Sequence, residues 1–148
     1  MTSCVRSLAS RAVTVLFVDD DEDTRFAYEL VATEAGMRVE LARDGHQAIA
    51  LASVLPLDVI VLDLGLCSHD GLDGFEVIRR LRADERTSSI AIIIVSGSDS
   101  PPDRERIKVS GCDGHLVKPC SADALIELVT SAARVRFGGV RPVEVKSG

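Results

Sequence analysis

The sequence of 148 residues contains few aromatic side chains: they make up 3% of it, and tryptophan is absent. Proteins that bind single-stranded nucleic acid stack the bases on such rings. Positive charge is also scarce, with 17 lysine and arginine residues against 23 aspartate and glutamate residues. Binding to a phosphate backbone depends on an excess of lysine and arginine. We therefore expect no nucleic-acid partner.

Long apolar runs are missing as well, since no stretch approaches the roughly 20 apolar residues that span a bilayer. The short apolar run at 13–18 ends in five consecutive acidic residues and has no convincing cleavage site, which argues against a signal peptide. The cysteines form no Cys-x-x-Cys motif and are expected to be reduced thiols: Cys4, Cys67, Cys112 and Cys120. We predict a cytoplasmic protein without membrane contact.

Charge and composition divide the chain into a core domain and two short ends. Residues 13–133 carry 11 basic and 22 acidic side chains, whereas most of the charged residues from Arg134 onward are basic. Hydrophobic residues make up 46% of the sequence, which is typical of one globular domain of this length. We predict an N-terminal extension at 1–11, a folded domain at 12–136 and a flexible tail at 137–148.

Short β-branched runs alternate with helical patterns along the domain. Strands are predicted at 13–18, 38–42, 59–62, 90–95 and 115–117. Helices are predicted at 23–35, 45–54, 74–83, 102–109 and 121–136. Parallel strands need crossover helices, so this alternation predicts an α/β fold with a five-stranded parallel sheet covered on both faces.

Polar residues follow the predicted strands where each one ends. Asp19–Asp21 follow the first strand, Asp63 the third, Ser96 the fourth and Lys118 the fifth. The carboxyl ends of parallel strands share one edge of a sheet, where ligands of open α/β folds bind. Clustered carboxylates repel one another, and a hard cation such as Mg²⁺ relieves that repulsion.

These segments, taken in order, resemble the receiver domain of bacterial two-component response regulators, of the stand-alone kind that includes chemotaxis regulators. The resemblance covers residues 12–133 and rests on Val18-Asp19-Asp20-Asp21, Leu62-Asp63-Leu64, Val95-Ser96-Gly97, Val117-Lys118-Pro119 and Leu72-Asp73-Gly74-Phe75. It implies a doubly wound, flavodoxin-like sheet with strand order 2-1-3-4-5 and five helices.

The resemblance also implies a role for each matching residue. Asp63 corresponds to the aspartate that accepts a phosphoryl group. Mg²⁺, or Mn²⁺ in its place, is expected on Asp19, Asp20, Asp63 and the backbone carbonyl of Gly65.

The remaining matches concern the switch that reads the phosphoryl group. Ser96 matches the hydroxyl residue that contacts it, and Lys118 matches the family lysine, with a cis bond expected between Lys118 and Pro119. His115 stands where the family carries an aromatic switch residue, so the resemblance implies a histidine in place of the aromatic rotamer switch.

The loop after Asp63 departs from the family pattern. Cys67 replaces the usual proline, and residues 68–71 add about three positions before Leu72-Asp73-Gly74. A second alignment gives Asp70-Gly71 the role of Asp73-Gly74 and moves the insertion later. His69 in this loop is a weak candidate for reaching the site.

The function that the resemblance implies is a signalling switch rather than an enzyme. Asp63 would accept phosphate from a histidine kinase or a histidine phosphotransfer protein, and the output would be contact with an unknown protein target, as a monomer or a phosphorylation-linked dimer. Two alternatives stay open: a degenerate receiver that binds without phosphorylation, and a receiver fragment of a hybrid histidine kinase. A Mg²⁺-dependent phosphatase is disfavoured because Gly65 stands where such enzymes place a second aspartate.

Overall fold

The computed structural model describes residues 12–66, 72–98 and 100–138, and within them strands and helices alternate along the chain. The strands are β1 (Thr14–Val18), β2 (Arg38–Ala42), β3 (Val59–Asp63), β4 (Ala91–Ser96) and β5 (Gly114–Val117). The helices are α1 (Glu22–Glu34), α2 (Gly45–Val54), α3 (Gly74–Ala83), α4 (Pro101–Lys108) and α5 (Ala122–Gly138).

The strands form one parallel sheet in the order β2-β1-β3-β4-β5, which confirms the predicted α/β fold. Successive strand residues point to opposite faces, so each strand contributes to two cores. Leu16 and Val18 pack in the core under α2, α3 and α4, whereas Val15 and Phe17 pack in the core under α1 and α5. Residues 59–63 and 91–96 are buried throughout, as central strands covered on both faces require.

Short polar signals fix where the helices begin and end. The carboxylates of Asp21, Asp44 and Asp73 each accept a hydrogen bond from the backbone N–H three residues later, which caps α1, α2 and α3. Gly36 follows α1 with a φ of 88°, the left-handed conformation that glycine commonly supplies at the end of a helix. The three aspartate caps therefore fix where the loops that lead from the strands into α1, α2 and α3 end.

The element bounds differ from the sequence prediction by one or two residues. β4 begins at Ala91 rather than at residue 90, because the Ile90 N–H is bonded to the carbonyl of Thr87 in a turn. α4 begins at Pro101, where proline's missing N–H costs nothing. α5 continues to Gly138, two residues past the predicted end, and stops at a residue with low helix propensity.

Two of the predicted segments lie largely or wholly outside the described residues. These are the N-terminal extension at 1–11 and, beyond residue 138, the C-terminal tail. In the part of the chain that the structure describes, every helix is too short or too polar to cross a bilayer.

Candidate functional site

Three carboxylates meet at the edge of the sheet where β1 and β3 end. Asp19 and Asp20 follow β1, and Asp63 is the last residue of β3, which is the neighbour of β1 in the sheet. One carboxylate oxygen from each residue lies within 4.8 Å of the other two. Asp19 and Asp63 are buried, while Asp20 is exposed at the mouth of the cluster.

Asp19 is held from two sides and keeps one oxygen available. Its Oδ1 accepts a hydrogen bond from the Asp21 backbone N–H at 2.9 Å, and its backbone carbonyl accepts one from Arg25 at 2.7 Å. Its Oδ2 is buried and has no hydrogen-bond partner among the described residues. Burial raises the pKa of the Asp19 carboxyl to about 6, and the nearby charge of Asp63 acts in the same direction.

Lys118 supplies the positive charge of the site. Its Nζ lies 3.2 Å from Asp63 Oδ2 and 3.9 Å from Asp19 Oδ2. The lysine directly follows β5, and its backbone N–H donates to the carbonyl of Ser96 at 2.7 Å. The peptide bond between Lys118 and Pro119 is cis. One ammonium group therefore offsets part of the repulsion between two buried carboxylates.

The two oxygens of Asp63 are held in different ways. Oδ1 accepts a hydrogen bond from the Gly65 backbone N–H at 2.9 Å, and Oδ2 accepts the bond from Lys118. A Cβ added at Gly65 would lie 3.4 Å from Oδ1, so the absence of a side chain leaves the approach to this carboxylate open. Asp63 is thus fixed in orientation by hydrogen bonds to both of its oxygens.

The donor set fits a small hard cation. Carboxylate oxygens are the ligands that Mg²⁺ prefers, and it commonly takes one or two of them together with water. The buried Asp19 Oδ2 needs a partner, and desolvation without one is costly. Asp19, Asp20 and Asp63 would hold the ion, while the contribution of the Gly65 carbonyl stays a prediction.

Ser96 and His115 lie on the neighbouring strands. Ser96 is buried, with 4% of the residue exposed. Its hydroxyl donates to the Ser98 carbonyl and accepts from the Ser98 N–H, both at 3.1 Å. His115 is half-buried on β5, and its Nε2 is buried without a hydrogen-bond partner among the described residues. The serine therefore contacts the loop after β4, and the switch roles of both residues stay predictions.

Two residues near the site have roles that the sequence did not reveal. The resemblance assigns the metal to Asp19, Asp20 and Asp63 and no role to Asp21, whose side chain caps α1 by accepting a hydrogen bond from the Thr24 N–H at 3.0 Å. Arg25, on the first turn of α1, holds the carbonyl of Asp19. No sequence signal singles out this arginine, because its partner is a backbone atom.

The predictions about the loop after Asp63 lie outside the described residues. They concern Cys67, His69 and the alternative placement of Asp70-Gly71. Past this loop, Asp73 caps α3 and Gly74 is its first residue. Of the other cysteines, Cys112 and Cys120 are free thiols whose pKa is raised by burial.

Comparison with known proteins identifies the family. The family model described as the response regulator receiver domain matches residues 15–130. The chain belongs to this family. The membership confirms the resemblance seen in the sequence and places the chain in two-component signalling. Receiver domains in general accept a phosphoryl group and bind Mg²⁺ at their acidic site.

Relatives of this receiver domain differ in length. RpaA of Synechocystis, a DNA-binding dual master transcriptional regulator, is 34% identical over 120 residues, which are 81% of this chain and 48% of RpaA. PilH of Pseudomonas aeruginosa is 30% identical over 117 residues, which are 79% of this chain and 94% of PilH. The chain thus spans about half the length of RpaA and nearly all of PilH.

Solved structures confirm the receiver fold. The chemotaxis response regulator CheY4 of Vibrio cholerae has a TM-score of 0.75 at 29% identity, covering 82% of this chain and 99% of CheY4. The receiver domain of sensor histidine kinase PA1611 from Pseudomonas aeruginosa has a TM-score of 0.75 at 27% identity, covering 84% of this chain and 99% of that one. The PA1611 structure holds a magnesium ion in its active-site cleft.

Proposed function

We propose that this receiver domain accepts a phosphoryl group on Asp63 from the phosphohistidine of a histidine kinase or a histidine phosphotransfer protein. The observation that carries the proposal is the arrangement of Lys118 Nζ, 3.2 Å from Asp63, beside a cluster of three carboxylates. The reaction depends on Mg²⁺, and the output is contact with another protein. A cytoplasmic location, predicted from the sequence, belongs to the same proposal.

The reaction forms one bond and breaks another. A carboxylate oxygen of Asp63 bonds to phosphorus while the P–N bond of the donor breaks, and the imidazole leaves with that bond's electron pair. Bound Mg²⁺ would neutralise charge on the phosphoryl oxygens. Lys118, which donates to Asp63, would stabilise the same charge, and the Gly65 N–H keeps the Asp63 carboxylate in one orientation.

A phosphoryl group on Asp63 would act on the loop after β4 through Ser96. The Ser96 hydroxyl now bonds to the Ser98 backbone, and turning it toward a phosphoryl group on Asp63 would break those bonds. The loop that leads into α4 would then take a second position. His115 pairs with Ile94 in the sheet register, and in this proposal it repacks when the loop moves.

Two alternative functions, a degenerate receiver and a receiver within a longer protein, make different demands on the site. A degenerate receiver that only binds has no need for a lysine held beside three clustered carboxylates, so the retained site favours the phosphorylated form of the function. A receiver within a longer signalling protein is favoured by one match: the sensor protein GacS of Pseudomonas syringae is 27% identical over 122 residues, which are 14% of its length. Both versions use the same chemistry at Asp63.

The test is phosphorylation with a small donor. The protein is incubated with Mg²⁺ and acetyl phosphate, and intact mass spectrometry counts the added phosphoryl groups. We expect one group on the native protein and none on Asp63→Asn. Asp44→Asn, which keeps the cap of α2, serves as the matched control and should gain one group. Failure of the native protein to gain mass, together with failure to bind beryllofluoride, would refute the proposal in favour of the degenerate receiver.

A further inference from the structure

A groove of about 500 Å³ lies between α3 and α4, and none of its lining residues belongs to the acidic site. Its walls come from the first turns of α3 and from the second half of α4. The lining residues are Asp73, Phe75, Glu76, Arg79, Arg80 and Arg106.

This groove concentrates positive charge on an acidic domain. Between residues 13 and 133 acidic side chains outnumber basic ones by 22 to 11, yet three arginines and only two carboxylates line the groove. Seven of those 11 basic residues fall within 79–108: Arg79, Arg80, Arg82, Arg86, Arg104, Arg106 and Lys108. The local charge is therefore opposite in sign to that of the domain as a whole.

Both carboxylates in the groove are already engaged. Asp73 caps α3 through a 2.9 Å bond from the Glu76 N–H. Glu76 accepts bonds from Arg79 Nε and Arg80 Nε, each 2.9 Å long, and these bonds lower the pKa of Glu76 to about 2. Arg79 Nη2 also donates to Glu76 at 2.6 Å, so this carboxylate is paired with both arginines.

Arg106 is the distinctive member of the groove. Its guanidinium carbon lies 4.1 Å from the centroid of the Phe75 ring, so the group is held flat against an aromatic face. Among the described residues, no hydrogen bond or ion pair is recorded for this guanidinium, although its charge acts on Asp103. The side chains of Ser98 and Ser100 lower the pKa of Asp103. A planar fork of five N–H donors is thus oriented and left open.

We propose that this groove docks an acidic segment of a partner protein, with Arg106 binding an aspartate or glutamate carboxylate. A guanidinium fork matches a carboxylate in geometry as well as in charge. A long polyanion such as nucleic acid would be repelled by the rest of the domain, whereas a short acidic peptide needs only the local charge. The edge of Phe75 offers apolar contact to a neighbouring side chain of the same peptide.

The test uses the unphosphorylated protein, so its outcome is independent of the proposed phosphorylation. A short synthetic peptide rich in aspartate and glutamate, with one leucine, is titrated into ¹⁵N-labelled protein and amide shifts are followed by NMR. We expect saturable shifts in α3 and α4. Arg106→Gln should weaken the affinity by about tenfold, since bonds to a charged group are lost.

Arg86→Gln is the matched control, because Arg86 is exposed, pairs with Asp84 and does not line the groove. It changes the net charge by the same amount and should alter the affinity by less than about twofold, as expected for an exposed ion pair. Arg106→Lys keeps the charge and loses the fork, so it should fall between the native protein and Arg106→Gln. Unchanged spectra away from α3 and α4 establish that each variant is folded.

Several results would overturn the proposal. Equal losses in Arg86→Gln and Arg106→Gln would mean that overall charge is responsible. Equal shifts with inorganic phosphate at matched ionic strength would mean that the groove is a simple anion site. Self-association that the peptide reverses would make a second copy of this chain the occupant, through its exposed acidic residues 20–23. Absence of saturable binding would remove the docking site altogether.

Discussion

Lys118 Nζ lies 3.2 Å from Asp63 Oδ2, although the two residues stand 55 positions apart in the sequence. The contact follows from topology: β3 and β5 both pair with β4, so residues at their carboxyl ends reach the same edge of the sheet. A cation at this place reduces the repulsion between Asp63 and Asp19 before any metal binds. The same cation faces the oxygen to which a phosphoryl group would be attached.

Removing this cation should slow the chemistry more than it disturbs the fold. We expect Lys118→Gln to reduce the rate of phosphoryl acceptance by about 100-fold, which is typical for loss of one group that stabilises charge in a transition state. The rate of mass gain with acetyl phosphate at fixed Mg²⁺ measures it. Lys108→Gln, which changes an exposed lysine on α4, should keep the native rate. Equal rates in all three proteins would exclude Lys118 from the reaction.

The metal-free protein should lose stability as the pH rises from about 4 to 6. Burial raises the pKa of Asp19 from 3.8 to about 6, so between these values the folded protein holds a proton that the unfolded chain releases. The free energy of unfolding then falls with rising pH, by about 1.4 kcal/mol per unit of pKa difference and on the order of 3 kcal/mol in all. Urea unfolding in the presence of a chelator measures it.

Two comparisons isolate Asp19 in that experiment. Asp19→Asn cannot ionise at this position, so its stability should vary less across the same pH window. Mg²⁺ binds the ionised carboxylate, and its stabilising effect should therefore grow as the pH rises through 6. If the stabilities of the native protein and of Asp19→Asn changed in parallel from pH 4 to 6 without metal, Asp19 would ionise as easily in the fold as in the unfolded chain.

The sequence predicted the sheet and the acidic edge because both depend on the order of the strands. Once β1, β3, β4 and β5 are parallel, any residue that follows them is placed at one edge. The capping role of Asp21 could not be predicted from the sequence, since adjacent carboxylates look alike until a rotamer directs one to the Thr24 N–H. Nor could it reveal the contact of Arg106 with Phe75, which depends on how two helices lie side by side.

An ion-pair network ties the far end of the sheet together and should contribute to stability. Arg82 donates to Asp113 Oδ2 at 2.7 Å and to the carbonyls of Ser88, Ile90 and Gly111 at 2.8, 2.6 and 3.0 Å. The side chains of Arg82 and Asp113 are 25% and 21% exposed, so most of the network is shielded from water. Loss of the arginine would leave several acceptors unpaired.

We expect Arg82→Met to lower the free energy of unfolding by about 2–3 kcal/mol, somewhat less than for a fully buried pair. Urea unfolding gives the value, and Arg86→Met, at an exposed pair, should cost less than about 1 kcal/mol. Combining Arg82→Met with Asp113→Asn should cost less than the sum of the single changes, because both remove the same contact. Additive losses would show that the two residues act separately.

Close packing of α2 against α3 leaves no room for a side chain at Gly45. An added Cβ would lie 2.6 Å from Val77 Cγ2 and 3.0 Å from Leu72 Cδ2. Val77 is fully buried and β-branched, so it cannot turn away cheaply. Alanine gains at most about 1 kcal/mol of helix propensity over glycine, whereas overpacking costs about 1–3 kcal/mol. The cost of overpacking should therefore exceed the gain in helix propensity.

We expect Gly45→Ala to be destabilised by about 1–2 kcal/mol in urea unfolding, the balance of overpacking against helix propensity. Gly97→Ala is the control, because a Cβ there meets nothing within 4 Å. Adding Val77→Ala to Gly45→Ala removes the atom that clashes, so the double variant should lose less than the two single losses together. A Gly45→Ala protein more stable than the native one would mean that α3 shifts away without cost. A shift of α3 should also change phosphoryl acceptance at Asp63, because Gly74 at the start of α3 packs against Leu64, the residue directly after Asp63.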